Sequence, residues 1–370
     1  MFAHYIWFIV ILAAISIVLM NSSITPKRAY NSPPANVEII SAENHDASDE
    51  YIQSRIASTH PNLPNSLEYI TNSRGQKLHV STYWPAERSV KFIVVSLHGH
   101  AGHGNRPTHS YIARELNAHN IAYVTLDFHG HGYSEGDRCR IAKYPDLIDD
   151  VMSLLTAIYM PTPYPSDSTH IRVPSTANQL PFFICGLSMG GATALAVANI
   201  IRSDDKYLKI RQQFRGLILA APMIQIASVS PFLKTVLSCP MHKIIDKVPF
   251  DISCYVKNED IWRPHYIDYV TMDTYPQGLT FNGVPWISTL QSLMNFTVDM
   301  PTILPKIDCP FIVFHDPADT ITQITGSYQL MEKAASSNKQ MVLMLDAKHD
   351  LIANHSHVFI HRVIEWIMGN

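Results

Sequence analysis

Ser188, Asp319 and His349 are three side chains that together could make a hydroxyl nucleophilic, and they occur in the order serine, acid, base. A serine hydroxyl attacks poorly until a base takes its proton, and an imidazole serves as that base best when a carboxylate holds its far nitrogen. Ser188 lies in Gly186-Leu187-Ser188-Met189-Gly190-Gly191, a G-x-S-x-G run between an apolar stretch ending at Cys185 and a helical one. In a strand–turn–helix connection of this kind the serine is forced into a strained backbone geometry. Side chains at Gly186 and Gly190 would clash there, and the helix beginning at Met189 aims its first N–H groups at the reaction centre. Acid and base are expected on loops after later strands. Asp319 follows the apolar run Pro310–His315, and His349 follows Gln340–Leu345. Asp316 and Asp346 are rival carboxylates, and His355 and His357 rival bases. Asp319 is preferred because a loop is needed to swing the acid round to the imidazole. The tetrahedral intermediate of acyl transfer needs two N–H donors. Met189 supplies one, and His100 the other, from the loop His98-Gly99-His100-Ala101-Gly102 after an earlier strand.

The chain carries 19 histidines, so a metal site has to be weighed. His98, His100 and His103 form H-x-H-x-x-H, the pattern of a zinc-binding hydrolase loop. That pattern wants Asp directly before its third His, and Gly102 stands there, so no metal is assigned. Nucleophilic catalysis by the three side chains also needs no cofactor. The second cluster, Asp127 to Gly136 (DFHGHGYSEG), is read as a Gly-rich loop fixed by its own Asp and His hydrogen bonds beside the active site.

These residues need a scaffold of strands and helices. Leu67–Thr71 and Leu78–Trp84 flank the turn Asn72–Gly75 as a hairpin. Lys91–Leu97, Ile121–Leu126, Pro181–Cys185, Gly216–Ala221, Pro310–His315 and Gln340–Leu345 are short apolar runs of the kind found in buried parallel strands. Between them Ser110–His119, Asp146–Tyr159, Gly191–Arg202, Ser327–Ser336 and His357–Met368 have helical spacing. Alternation of this sort predicts an α/β fold with a mostly parallel central sheet and helices on both faces. It is broken between residues 222 and 304, a Pro-punctuated insertion read as a helical cap or lid. The core is expected over 65–221 and 305–370.

A chain of 370 residues, 46 % apolar and 16 % charged, can bury a large core. A net charge of −3 offers no basic face for nucleic acid. Residues 1–20, apolar from Phe2 to Met20, approach the length of a bilayer span, and are read as an uncleaved membrane anchor. A cleaved signal peptide and a secreted product is the alternative. The expected setting is membrane-associated and endomembrane. Residues 21–64, rich in Ser, Asn and Pro, read as a flexible tether with one short helix at Asp49–Ile56. Glycosylation triplets occur at Asn21, Asn295 and Asn354. Of five cysteines, Cys185 and Cys309 read as core residues, while Cys239 and Cys254 could pair in an oxidising compartment. Oligomeric state is not readable from the chain.

In motif order and spacing, residues 67–370 resemble the monoacylglycerol lipase and lysophospholipase group of α/β-hydrolases. The match rests on Leu97-His98-Gly99 with its Gly-rich loop, the Asp127–Gly136 run, the Gly186–Gly191 run, the loop Asp316–Thr322 and the loop around His349. The resemblance implies the α/β-hydrolase fold, the triad Ser188–Asp319–His349, an oxyanion hole from the N–H groups of His100 and Met189, and a lipid ester as substrate. Two departures stand out. The loop after Gly99 runs His-Ala-Gly-His-Gly-Asn-Arg where the group usually has small-Gly-Glu-His-Ser-Gly-Arg, and His315-Asp316 stands where it often has a Gly. Phe232, Leu233, Val236 and Leu237, and Trp286, Leu290, Leu293 and Met294, fall on helical spacing in the cap and could pack it down or line an acyl channel. Each CH₂ buried there would contribute about 0.8 kcal/mol. The expected reaction is hydrolysis of a mono-acyl lipid ester. A small-ester esterase, an S33-type aminopeptidase and a non-catalytic binding homologue are the alternatives.

Overall fold

The computed structural model describes residues 37–41, 68–85, 89–161, 171, 173–226 and 286–370. Residues 1–20, the helix expected at Asp49–Ile56, the cap positions Phe232 to Leu237, Cys239 and Cys254 lie outside the described residues.

Strands that are apolar on both sides need cover on both faces, and the six apolar runs meet that need by pairing as parallel neighbours. They are β4 (Phe92–Leu97), β5 (Ile121–Leu126), β6 (Phe182–Leu187), β7 (Phe214–Ala220), β8 (Phe311–His315) and β9 (Lys339–Leu345). The hairpin β2 (Glu68–Thr71) and β3 (Lys77–Tyr83) adds on antiparallel to β5. With β1 (Val37–Ser41) at one edge, the nine-stranded order among the described residues is β1-β9-β8-β7-β6-β4-β5-β3-β2. This mostly parallel sheet with helices on both faces is the α/β-hydrolase fold.

Successive side chains along each strand serve opposite faces. Val94, Phe183, Ile218 and Ile312 pack under α1 (Pro107–Asn117) and α8 (Ser356–Gly369). Ile93, Val95, Ile184 and Leu217 pack under α2 (Pro145–Tyr159) and α3 (Met189–Ser203). Helix α1 starts three residues earlier than its apolar spacing predicts, because Pro107 occupies the first turn, where a fixed φ helps and no N–H is missed. The remaining α-helices among the described residues are α4 (Leu208–Gln213), α5 (Ile287–Ile303), α6 (Ile324–Lys333) and α7 (Leu351–Asn354). Within the cap segment, α5 buries Thr289, Leu293, Phe296 and Met300. Phe296 stacks on Tyr144, with ring centroids 4.3 Å apart, and the Trp286 indole N–H donates to the Arg138 carbonyl. Met223 and Ile224, just after β7, are buried in the main core.

One strand was not expected. Val37–Ser41, inside the segment read as a tether, forms β1, parallel to β9. No helix among the described residues is long and apolar enough to cross a membrane.

The strand order also fixes where a ligand can sit. From β4 the chain moves to β5 on one side, and β6 returns to the other side of β4. The connections diverge there and open a crevice beyond the carboxyl ends of β4 and β6. Leu97 and Gly186 are register partners, so the loops holding His100 and Ser188 leave the sheet side by side.

Candidate active site

Ser188 ends β6 and precedes α3, with φ 53° and ψ −114°, a region that ordinary side chains rarely occupy. Its backbone is held in place by three hydrogen bonds. Its N–H donates to the Ala220 carbonyl at 2.9 Å, and its carbonyl accepts from Ala192 N at 3.1 Å and Met223 N at 2.9 Å. The expected steric role of the glycines is visible in their surroundings. A Cβ on Gly186 would stand 2.4 Å from the Gly190 carbonyl oxygen, and one on Gly190 would stand 2.2 Å from that of Leu97. Met189 opens α3, so its N–H has no acceptor within the helix. A Cβ on Gly99 would lie 3.4 Å from the Ser188 Cβ, which puts the segment leading into His100 directly against the serine.

Asp319 and His349 meet although 30 residues separate them. The His349 Nδ1–H donates to Asp319 Oδ2 at 2.8 Å. Asp319 is a crowded acceptor: Oδ1 takes the N–H groups of Ile321 (2.7 Å) and Thr322 (3.1 Å), and Oδ2 also takes the Thr322 hydroxyl (2.8 Å). Burial pushes this carboxyl up, but the His315 and His349 imidazoles outweigh burial and hold it below the ordinary carboxylate range. An ionised Asp319 can accept only, which sets the proton of His349 on Nδ1 and leaves Nε2 as the basic nitrogen. The Thr322 hydroxyl also lies 3.2 Å from the Ala221 carbonyl. The acid's loop therefore rests on the end of β7, the same strand end that fixes the Ser188 backbone.

The rival residues have other duties. Asp316 accepts from Ala318 N at 2.8 Å and Lys348 N at 2.6 Å, tying the loop after β8 to the loop that carries His349. Asp346 and Lys348 both adopt positive φ, 59° and 55°, in the tight turn before His349. His355 Nε2 lies 3.3 Å from the Asp346 carbonyl, and His357 Nδ1 3.3 Å from the Tyr111 hydroxyl. Asp350 caps α7 and pairs with Arg106 at 2.9 Å, a tie between the His100 loop and the His349 loop.

The histidine-rich loops are built as hydrogen-bonded structure. His98 donates from Nδ1 to the Gly99 carbonyl at 2.7 Å and accepts the Phe128 N–H on Nε2 at 3.1 Å. Asp127 receives His79 Nδ1 (2.9 Å), Gly104 N (2.6 Å) and Tyr133 N (3.0 Å). Burial lowers His100 and His103 to about 3 and His109 and His131 to about 4, so these imidazoles are neutral. Among the described residues no group of three His, Cys, Asp or Glu is arranged to hold a metal ion. Cys139 and Cys185 are buried thiols, each pushed up to about 12 by burial.

Sequence reasoning missed Thr322, the Arg106–Asp350 tie and the anchoring of Ser188 by Met223. The last two, and the reach of Thr322 to Ala221, are contacts between distant segments with no local signature.

Residues 88–356 match the profile of the family described as serine aminopeptidase, S33 (Hydrolase_4). The chain belongs to that family. It is accordingly a hydrolase, and it resembles the monoacylglycerol lipases. It is 25 % identical over 311 residues to the monoglyceride lipase of Homo sapiens, covering 81 % of this chain and 90 % of that one. It is 24 % identical over 327 residues to the caffeoylshikimate esterase of Arabidopsis thaliana, covering 84 % and 87 %. Among solved structures, a soluble variant of monoglyceride lipase from Saccharomyces cerevisiae, in complex with a substrate analogue, superposes with a TM-score of 0.63 at 17 % identity, covering 83 % of this chain and 96 % of that one.

Proposed function

We propose that the protein cleaves carboxylic esters of mono-acyl lipids, monoacylglycerol or lysophospholipid, through an acyl-enzyme on Ser188. The observation that carries this reading is a serine at positive φ on a strand–helix elbow, in a sheet whose neighbouring loops hold a buried His349–Asp319 pair. Ser188 Oγ attacks the ester carbonyl while His349 Nε2 takes its proton. Asp319 keeps the Nδ1–H in place and stabilises the imidazolium that forms. The N–H groups of His100 and Met189 receive the oxyanion. Collapse expels the glycerol or glycerophospho-alcohol, protonated by His349, and water attacks the acyl-enzyme through the same base. The names of the curated relatives, monoglyceride lipases and an esterase, favour an ester over an amide. The apolar run Phe2–Met20 would hold the enzyme at a bilayer, where such substrates partition.

The test uses the full chain in detergent. A fluorophosphonate should label wild type and not Ser188→Ala; equal labelling of both refutes the nucleophile. A panel of monoacylglycerol, lysophospholipid, short nitrophenyl ester and aminoacyl amide then reads the substrate class. Faster turnover of the amide, or of the short ester, than of either lipid would overturn the lipid assignment.

A further inference from the structure

A second imidazole stands behind Asp319. His315, the last residue of β8, is fully buried, and its Nε2 lies 3.2 Å from the Thr322 carbonyl and 3.5 Å from Asp319 Oδ2. Both neighbours can only accept, so Nε2 carries a proton. On the other side of the ring, Nδ1 lies 2.8 Å from the Ser327 hydroxyl of α6, which fixes the ring plane. Asp319 Oδ2 thus lies between two imidazoles, His349 on the side of the crevice and His315 on the side of the core.

We propose that His315 is a positioning residue for the reaction: its Nε2–H, donated to the Thr322 carbonyl, also turns its positive edge toward the Asp319 carboxylate 3.5 Å away, fixing the acid's loop and dispersing the carboxylate charge behind the His349 contact. This rests on the triad reading above. The charged and titratable groups around His315 are Asp319 and, beyond it, His349, with Asp316 next in the chain; α6 contributes the Ser327 hydroxyl, and β9 pairs through Leu343. Asp319 is held below the usual carboxylate range, with burial opposing and the His315 contact the first of the lowering causes. Without that contact the negative charge is concentrated on the face toward His349. The imidazolium is then favoured, and the free enzyme loses its active base at a higher pH than wild type.

The experiment measures kcat/KM against pH for wild type, His315→Leu, His315→Gln and Asp319→Asn. Each is normalised to sites titrated with fluorophosphonate, so that misfolded protein is not counted. The expected result for His315→Leu is a loss of about tenfold in kcat with KM little changed, and an acidic limb moved up by about half to one pH unit. His315→Gln, which restores a donor, should recover most of both changes. If His315→Leu folds too poorly to titrate, Ser327→Ala frees the ring and should move the limb the same way by less. An unmoved acidic limb in the variant that titrates, with Asp319→Asn inactive, overturns the role of His315 and leaves the triad standing. Full activity in Asp319→Asn overturns the choice of acid itself.

Discussion

Two histidine–aspartate pairs in this molecule look alike and differ in what they can do. His349 meets Asp319 at 2.8 Å, and His79 meets Asp127 at 2.9 Å, each through Nδ1 to a buried carboxylate oxygen. Both carboxyls are pushed up by burial and pulled further down by their imidazoles. The surroundings separate them. His79 is on β3 and wholly buried, with its ring edge-on to Tyr69 and Tyr133, and Asp127 also gathers the backbone N–H groups of Gly104 and Tyr133. His349 is on a loop beyond the carboxyl end of β9, buried but not sealed at 7 % exposure against 0 % for His79, and its Thr322 neighbour rests on the end of β7. A short contact to a buried carboxylate orients an imidazole; under the proposed mechanism only the imidazole at the carboxyl end of the sheet, where Ser188 also lies, uses that orientation to move a proton.

The largest expected effects set the two pairs against each other. His349→Ala, like Ser188→Ala, should lower kcat by at least about a thousandfold in steady-state ester hydrolysis while leaving thermal unfolding near wild type. Asp127→Asn should do the reverse. Asp127 accepts three N–H groups in the interior, and weakening these charge-assisted hydrogen bonds should cost about 1.5–3 kcal/mol, read as a lowered midpoint in urea, while kcat per titrated site should stay within about tenfold. A folded Asp127→Asn that neither labels nor turns over would erase the distinction. Gly190→Ala should disturb both activity and stability, since its Cβ would collide with the backbone of Leu97 and not with a movable side chain. Circular dichroism melts and fluorophosphonate labelling would register the two losses together.

Acid should then sort the histidines. His109 and His131, lowered to about 4 by burial, stay neutral in the fold while the unfolded chain takes up protons near 6.5. Their contribution is complete above about pH 6.5 and is lost as pH falls toward 4, at a rate of up to about 1.4 kcal/mol per pH unit for each. The lowered carboxyls of Asp127 and Asp319 contribute above their unfolded values near 4 and are lost only below that. The melting temperature should therefore start to decline between pH 6.5 and 5; a flat profile down to pH 4 would contradict the neutral buried imidazoles. The smallest effect belongs to the surface. Glu38→Ala removes the partner of Arg362, 2.7 Å away on α8, and should cost less than about 1 kcal/mol in a urea titration.

The strands and the candidate serine elbow were legible because each piece carries a local mark. Ile121–Leu126 is a strand at the bounds its apolar run gives, and Ser188 is flagged by its flanking glycines. Asp319 and His349 were found from their order after the strands. What could not be read is tertiary. Residues 48 positions apart join in the His79–Asp127 pair, and Thr322 reaches Asp319, Ala221 and the edge of His349 with one hydroxyl. The pair His315-Asp316 was visible as a departure from the group's pattern, but the partner of His315 on α6 was not. β1 escaped because Val-Glu-Ile-Ile-Ser is short, lies in a polar stretch and gains its partner only from the far end of the chain. The triplet at Asn354 was legible as a motif, yet its side chain is buried and donates to the Ala347 carbonyl at 2.8 Å.

The pairing of β1 with β9 has a consequence for assembly. Ile39 and Leu343 are register partners some three hundred residues apart, so β1 is synthesised long before the strand it pairs with. During synthesis the segment must wait on the ribosome until β9 emerges, and until it docks β9 offers its own unpaired edge to any neighbouring chain. Arrival of β1 moves the exposed edge from the seven-residue β9 to a five-residue strand, a shorter template for edge-to-edge pairing.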